Sequence, residues 1–409
     1  MNWSAYIARK IITAPQQSFS KFIIRLSVVA TGVSVAAMLI TLCLVNGFQE
    51  TVSQKVFSFW GHIHVEGYSQ SRSIMAEEEG LAANDSLRDA IKKIPGVEHV
   101  QPFATKSAIL KKDETFNGVI LKGIDTSFDW KNFKSFMESG SPIDLTDTSY
   151  SRQIVLSKKM ANDLKVSTND TLLLYFLRSE TNIQYRKVKV SGIFKTGIEE
   201  YDQSFAMADI RLLRKMNLWD SRRIGGYEVW VKDLKKLDTV NEKIFNLLPD
   251  GLNSQTIRKQ YPNIFDWLDV QHQTKWIVIT IMAIVAIINL ITCLLILVLE
   301  RTNMVGLLQS LGSNNVSIRE IFLWYAAYIS LVGIALGSLL GLGLCLAEDQ
   351  FHFLKMDEAT YYVSYAPVAF NWLQIGMVLL GTMLICFVAL ILPSYLVSRI
   401  TPVKALRFQ

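Results

Sequence analysis

WIVITIMAIVAIINLITCLLILVL, from Trp276 to Leu299, is 24 residues long and holds no acidic or basic side chain. As a helix rising 1.5 Å per residue it outspans a hydrocarbon core of roughly 30 Å. Three further uncharged runs of similar length occur at Leu26–Asn46, Ile321–Leu346 and Leu373–Leu392. Of the 409 residues, 50% are hydrophobic and only 19% charged, against about 25% charged in a soluble chain. The reading is a membrane α-helical protein with four transmembrane helices and a large α+β extracytoplasmic domain inserted between helices 1 and 2.

Charge placement orients it. Arg9, Lys10, Lys21 and Arg25 precede the first run, with no acid before Glu50, and Arg399, Lys404 and Arg407 follow the last run. The loop between runs three and four carries Glu348, Asp349, Asp357 and Glu358 against Lys355 alone. Lysine and arginine at span ends stay cytoplasmic, so both termini are expected inside and the insert outside. The net charge of +6 is explained by this topology and gives no support to nucleic-acid binding. Each of the four cysteines, Cys43, Cys293, Cys345 and Cys386, falls in a different span. The outer domain must therefore bury a core without disulfides, which roughly 225 residues can do. The first apolar run exceeds the roughly 7–15 residues of a signal h-region, and Leu42 before Cys43 does not suit a lipobox; a retained anchor is expected.

Along the chain, Trp3, Tyr6, Ile7 and Ile11 recur at helical spacing and predict an interfacial helix over 1–21. Spans are expected at 22–47, 274–299, 320–347 and 371–395. Between them lie the outer domain at 48–273, a cytoplasmic loop at 300–319 and a short outer loop at 348–370, with a tail at 396–409. Phe48, Val52, Val56 and Phe59 extend the first helix as a stalk, and Ile264, Trp267, Leu268 and Gln271 form a second stalk after Pro262. Inside the domain, β-rich runs at His62–Val65, Val119–Leu121, Gln153–Leu156, Thr171–Phe176, Lys187–Ile193 and Tyr227–Val231 alternate with short helices at Leu87–Ile94, Lys158–Leu164 and Asp209–Met216. Two lobes are expected. One joins Trp60–Ile124 to Gly226–Pro249, and the other spans Asp125–Gly225.

No Gly-Lys dipeptide exists, so there is no Walker A loop, and ATP, if used, is hydrolysed on another chain. No catalytic or metal-binding residue is expected. His62 and His64 lack a third ligand, and Glu199, Glu200 and Asp202 read as a solvated turn with a capping aspartate. Gly333, Gly337 and Gly341 form a stripe that lets a helix approach closely, within the chain or between subunits. Asn289, in mid-span, needs a hydrogen-bonding partner on a neighbouring helix. In the loop L-E-R-T-N-M-V-G-L-L-Q-S-L-G-S, Leu299 to Ser313, the residues Met304, Leu307, Leu308 and Leu311 fall on one helical face. An apolar face shown to the cytoplasm calls for a protein partner. Outside, the hairpin tip Leu177–Arg186 carries Ile183, Tyr185 and Arg186, residue types that suit a contact with a carrier or a partner subunit.

The loop resembles the coupling helix of permeases related to FtsX, the MacB exporter and the lipoprotein-releasing (Lol) system, with Val305, Gly306, Leu307, Leu308, Leu311 and Gly312 in register. The ending Thr401-Pro402-Val403-Lys404-Ala405-Leu406-Arg407 is similar to that family's closing motif. Within the family the Lol-type permeases look closest, through Gly61-His62-Ile63-x-Val65, Ile94-Pro95-Gly96-Val97, Val119-x-Leu121-Lys122-Gly123-Ile124-Asp125, Gly192-Ile193-Phe194-x-Thr196-Gly197 and Glu200-Tyr201-Asp202. Two positions depart from the pattern: Met304 replaces the usual acid and Gln309 the usual base. The hairpin tip also lacks the proline of a carrier-recruiting hook.

The resemblance implies a MacB-like periplasmic core domain in a multi-pass protein of the bacterial inner membrane. It implies ATP-driven release of lipoproteins for transfer to the outer membrane. Its implied partners are a cytoplasmic ABC ATPase dimer, a second permease chain, identical or homologous, the lipoprotein substrate, membrane lipid and a periplasmic lipoprotein carrier. No cofactor binds this chain, and ATP-Mg sits on the partner ATPase. Alternatives are a MacB-like exporter of peptides or amphiphiles and FtsX-like signalling to a cell-wall hydrolase.

Overall fold

A computed structural model describes residues 18–68, 80–146, 149–177 and 183–397. The expected interfacial helix with Trp3, Tyr6, Ile7 and Ile11, the centre of the hairpin tip and the closing motif Thr401–Arg407 lie outside the described residues. The chain divides into two units. One holds the chain up to Glu50, Trp267–Lys355 and the chain from Tyr365 onward; the other holds Thr51–Asp266 and Met356–Ser364.

Among the described residues four helices are long and apolar enough to cross a bilayer: Ser18–Trp60, Pro262–Glu300, Asn315–Phe351 and Trp372–Val397. Proline at the start of the second costs nothing, since its missing N–H would have no intrahelical partner. Between the first and third helices the glycine stripe meets small residues. A Cβ on Gly337 would come within 2.8 Å of Val35 Cβ and 2.9 Å of Gly32 Cα, and one on Gly341 within 3.0 Å of Ala36 Cα. Gly333 faces Thr31. The stripe thus seats two backbones of the same chain against each other. Asn289 of the second helix donates to Ser27 O at 3.0 Å and Thr31 Oγ1 at 3.2 Å on the first. At the outer ends, Lys275 Nζ donates to Asn46 Oδ1 at 2.9 Å and Asn46 Nδ2 to Gln374 Oε1 at 2.7 Å, tying three helices by side-chain amides.

The outer unit is built on one ten-stranded sheet. Its strands are β1 Ile63–Gly67, β3 Val97–Lys112, β4 Thr115–Ile124, β5 Met137–Gly140, β6 Gln153–Ser157, β7 Thr171–Leu177, β8 Ile183–Phe194, β9 Phe205–Asp209, β11 Gly226–Val231 and β12 Leu252–Thr256. A separate pair joins β2 Leu81–Ala82 to β10 Arg223–Ile224. Sheet order is β12-β1-β11-β3-β4-β9-β6-β8-β5, with β7 against β3 and β8. Pairs β4·β9 and β6·β8 are parallel and the rest antiparallel. Helices Asp85–Lys92, Lys158–Asp163 and Ile210–Asn217 begin at Asn84, Ser157 and Asp209, whose side chains accept backbone N–H groups of the first turn.

The sheet does not part at Ile124 as the two-lobe expectation had it. β4 pairs β9 over Ile120–Ile124 and Phe205–Asp209, and the 16-residue β3 pairs β7 as well as β11 and β4, so strands of both expected lobes share one sheet. β3 itself, β9, β12 and the helix Leu237–Phe245 were not expected from the sequence. In β3 the reason is visible: Pro102 sits inside it opposite Tyr227, and the run Gln101–Ala104 is buried on both faces, so no alternation marks it.

Candidate functional site

Glu300 ends the second span helix, and after Arg301 a nine-residue helix, Thr302–Ser310, starts. Gly312 closes it at φ +87, with Gly312 N–H on Gln309 O and Ser313 N–H on Leu308 O, each at 3.0 Å. A left-handed glycine here satisfies the last carbonyls of the helix. Val305 and Gly306 are buried, and Met304 and Leu308 pack on a cluster that includes Leu297, Val298, Ile318 and Phe322. Leu307 and Leu311 are 56% and 74% exposed. The four apolar residues expected on one exposed face are therefore divided. Their arc straddles the edge of the bundle because the neighbouring Val305 and Gly306 turn its inner flank toward the core. Only Leu307 and Leu311 remain for a partner. Gln309, where the family has a base, is held sideways by Asn315 Oδ1 at 3.0 Å.

On the outer unit, β7 and β8 run further than the sequence indicated. Ile183 and Tyr185 are strand residues, opposite Leu177 and Tyr175. Tyr185 is 57% exposed beside Tyr175, centroids 5.9 Å apart, and Arg186 Nη1 donates to Tyr185 O at 2.8 Å. The turn between the strands, 178–182, lies outside the described residues.

Two clusters in the outer unit were missed by sequence reasoning. In the first, Lys122 of β4 and Glu228 of β11 form a fully buried ion pair of 2.6 Å. Lys122 also donates to Phe59 O, one residue before the end of the first span helix, and lies 4.6 Å from the Trp60 ring centre and 5.0 Å from that of Phe59. Gln101 Nε2 donates to Glu228 Oε2 at 2.7 Å, and His64 Nε2 contacts Trp60 O at 2.9 Å and lies 3.7 Å from Glu228 Oε1. Burial draws the Lys122 ammonium down from the ordinary lysine range, against the pull of Glu228. Burial pushes the Glu228 carboxyl up, but the charges and hydrogen bonds of Lys122 and His64 outweigh it and hold the group low. Lysine in a β-rich run reads as a solvent-facing residue, so only the fold could reveal this one.

The second cluster surrounds Gly197, at φ +74, on which any Cβ would lie 2.6 Å from both Glu358 Oε1 and Lys55 Nζ. Lys195 Nζ pairs with Glu358 Oε2 at 2.5 Å, and Lys55 Nζ donates to Tyr362 O at 2.7 Å. Beneath, Asp202 is buried rather than solvated. It accepts from Thr196 N at 3.0 Å, Thr196 Oγ1 at 2.8 Å and Gly197 N at 3.0 Å, while burial, opposed by these bonds, raises its pKa. Glu199–Ser204 is a short helix with Tyr201 fully buried. His62 and His64 serve structure: His62 Nδ1 accepts from Val231 N at 2.7 Å. Among the described residues no group of three or more His, Cys, Asp or Glu could hold a metal.

Residues 26–247, more than half of the chain, match the family model of the MacB-like periplasmic core domain, and residues 276–402 that of the FtsX-like permease C-terminal domain. The chain is 20% identical to the lipoprotein-releasing system transmembrane protein LolE of Haemophilus influenzae over 94% of each chain. It is 21% identical to LolC of Xylella fastidiosa over 96% of each and 22% identical to LolC of Neisseria meningitidis over 99% of each. Among solved structures it is similar to the periplasmic region of MacB from Actinobacillus actinomycetemcomitans, with TM-score 0.36 and 14% identity over 50% of this chain and 92% of that one. With a MacB-like core domain matched over more than half of the chain, an FtsX-like permease domain at its C-terminal end and, among the described residues, four helices able to cross a membrane, this chain belongs to the FtsX- and MacB-like family of membrane permeases.

Proposed function

We infer that this chain is a permease subunit of an ATP-driven complex that releases lipoproteins from the outer leaflet of the inner membrane. The observation that carries the reading is its similarity along nearly the whole length to lipoprotein-releasing transmembrane proteins, in both halves at once. Physical need agrees. Each acyl chain costs about 0.8 kcal/mol per CH₂ to withdraw from a bilayer, so three chains call for an energy source of tens of kcal/mol or an accepting apolar surface. The chain has no Walker A loop, so the ATPase is a separate dimer. The helix Thr302–Ser310 is its docking element: Leu307 and Leu311 offer apolar surface on a helix whose other flank is fixed in the membrane unit. Burying two leucines is worth roughly 3–6 kcal/mol before association costs. A second permease chain completes the transport unit, and the exposed Tyr185 with the half-buried Arg186 beside it faces a periplasmic carrier.

The test is reconstitution with the ATPase in proteoliposomes carrying a triacylated lipoprotein. ATP-dependent release is expected. Leu307→Asp should abolish ATPase co-purification while membrane insertion is unchanged. Normal ATPase binding by the aspartate variant would remove the docking assignment, and ATP-driven export of peptides without lipoprotein release would favour a MacB-like exporter.

A further inference from the structure

A helix end carries unsatisfied carbonyls and a partial negative charge. At the outer end of the first span helix those carbonyls are met one by one. Gly61 N–H, at φ +74, bonds Phe57 O at 2.7 Å, Lys122 Nζ takes Phe59 O and His64 Nε2 takes Trp60 O. Lys122 lies on β4, Glu228 on β11, Gln101 on β3 and His64 on β1, four strands that are consecutive in the sheet as β1-β11-β3-β4. One helix end is thereby wired to four neighbouring strands through a single buried ion pair and its hydrogen bonds.

Stability alone does not account for this arrangement. Buried ion pairs replaced by well-packed apolar residues are often neutral or better for folding, and the surrounding rings of Phe59, Trp60, Phe103, Tyr201 and Phe205 already pack closely. Apolar packing resists separation but tolerates rotation and slip. A charged donor fixed on one particular carbonyl does not.

We propose that Lys122 is a positioning residue that, with Glu228, delivers movement of the first span helix to β4 and β11 of the outer domain. This rests on the reading of the chain as an ATP-driven permease. The pair sets how far the sheet follows the helix, and it does so without touching substrate.

The experiment uses the full chain reconstituted with its ATPase and compares wild type, Lys122→Met/Glu228→Met, Glu228→Gln and Lys122→Arg. Hydrogen exchange with and without ATP is read at peptides covering 52–60, 115–124 and 226–231, beside triacylated lipoprotein released per ATP hydrolysed. In wild type all three peptides should change exchange on ATP binding. The double methionine variant should assemble, melt within a few degrees of wild type and keep the response at 52–60. It should lose the response at 226–231, with release per ATP down at least tenfold. Glu228→Gln should show the same loss in weaker form, and Lys122→Arg should recover at least half of it. A double variant whose 226–231 response and release ratio match wild type would overturn the proposal, as would a wild type with no ATP response at 226–231. If wild type releases no lipoprotein yet shows the response that the double variant loses, the positioning role stands and the lipoprotein reading falls.

Discussion

His62 shows what a single side chain contributes to the outer unit. Its ring stacks edge-on to Phe57 at 4.6 Å and accepts the Val231 N–H, which requires the neutral form. Burial, and then the charge of Arg258, lower its pKa from 6.5 to about 4. The unfolded chain binds this proton near pH 6.5 and the folded chain only near pH 4. Stability is therefore complete above pH 6.5, falls as pH drops through that interval and levels off below it, by up to about 3 kcal/mol. Melting curves of the purified chain between pH 7 and pH 4 should display this slope, and His62→Asn, which keeps an acceptor but cannot titrate, should flatten it. Tyr185 is the opposite kind of residue, exposed and stabilising little. Tyr185→Ala should leave melting within about 0.5 kcal/mol of wild type while lowering crosslinking to a periplasmic carrier several-fold; undiminished crosslinking would return the residue to ordinary surface.

Among elements, the pairing of the first and third span helices depends on where glycine falls. Gly337 has backbone atoms of Gly32 against it, whereas Gly343 has nothing within 4 Å. Gly337→Leu should therefore force the helices apart and cost on the order of 1–3 kcal/mol or more, read as a lower melting temperature in detergent, with Gly343→Leu close to neutral. Equal effects at the two positions would mean that lipid, not helix contact, dominates there. The four-residue spacing of the stripe was legible in the sequence because periodicity survives whatever packs on it. The partner helix went unread, although Gly32 and Ala36 stand four residues apart as a small-residue pair of the same kind. For the same reason the helix Thr302–Ser310 was found, but the division of its apolar arc between core and surface required the bundle.

At the scale of the whole molecule, spans, orientation and the insertion point followed from hydropathy and charge, which act locally along the chain. The sheet did not, because its order is set by contacts distant in sequence. β3 is recognisable only once β11, β4 and β7 are placed beside it. Asp202 was misleading in the same way, since a charge reads as surface until its buried partners are known, and nothing in the sequence marked Lys122 as a buried charge. The segment Met356–Ser364 carries this furthest: it is counted with the outer unit, although Lys355 and Tyr365 on either side are not. A soluble fragment cut at Thr51 and Asp266 would look complete by hydropathy, yet it would lack Glu358 and the Tyr362 carbonyl. Lys55 and Lys195 would then flank an empty notch over Gly197. Such an excised domain would acquire a cationic cleft that the intact chain keeps filled, and anions captured there would report the excision, not a ligand of the transporter.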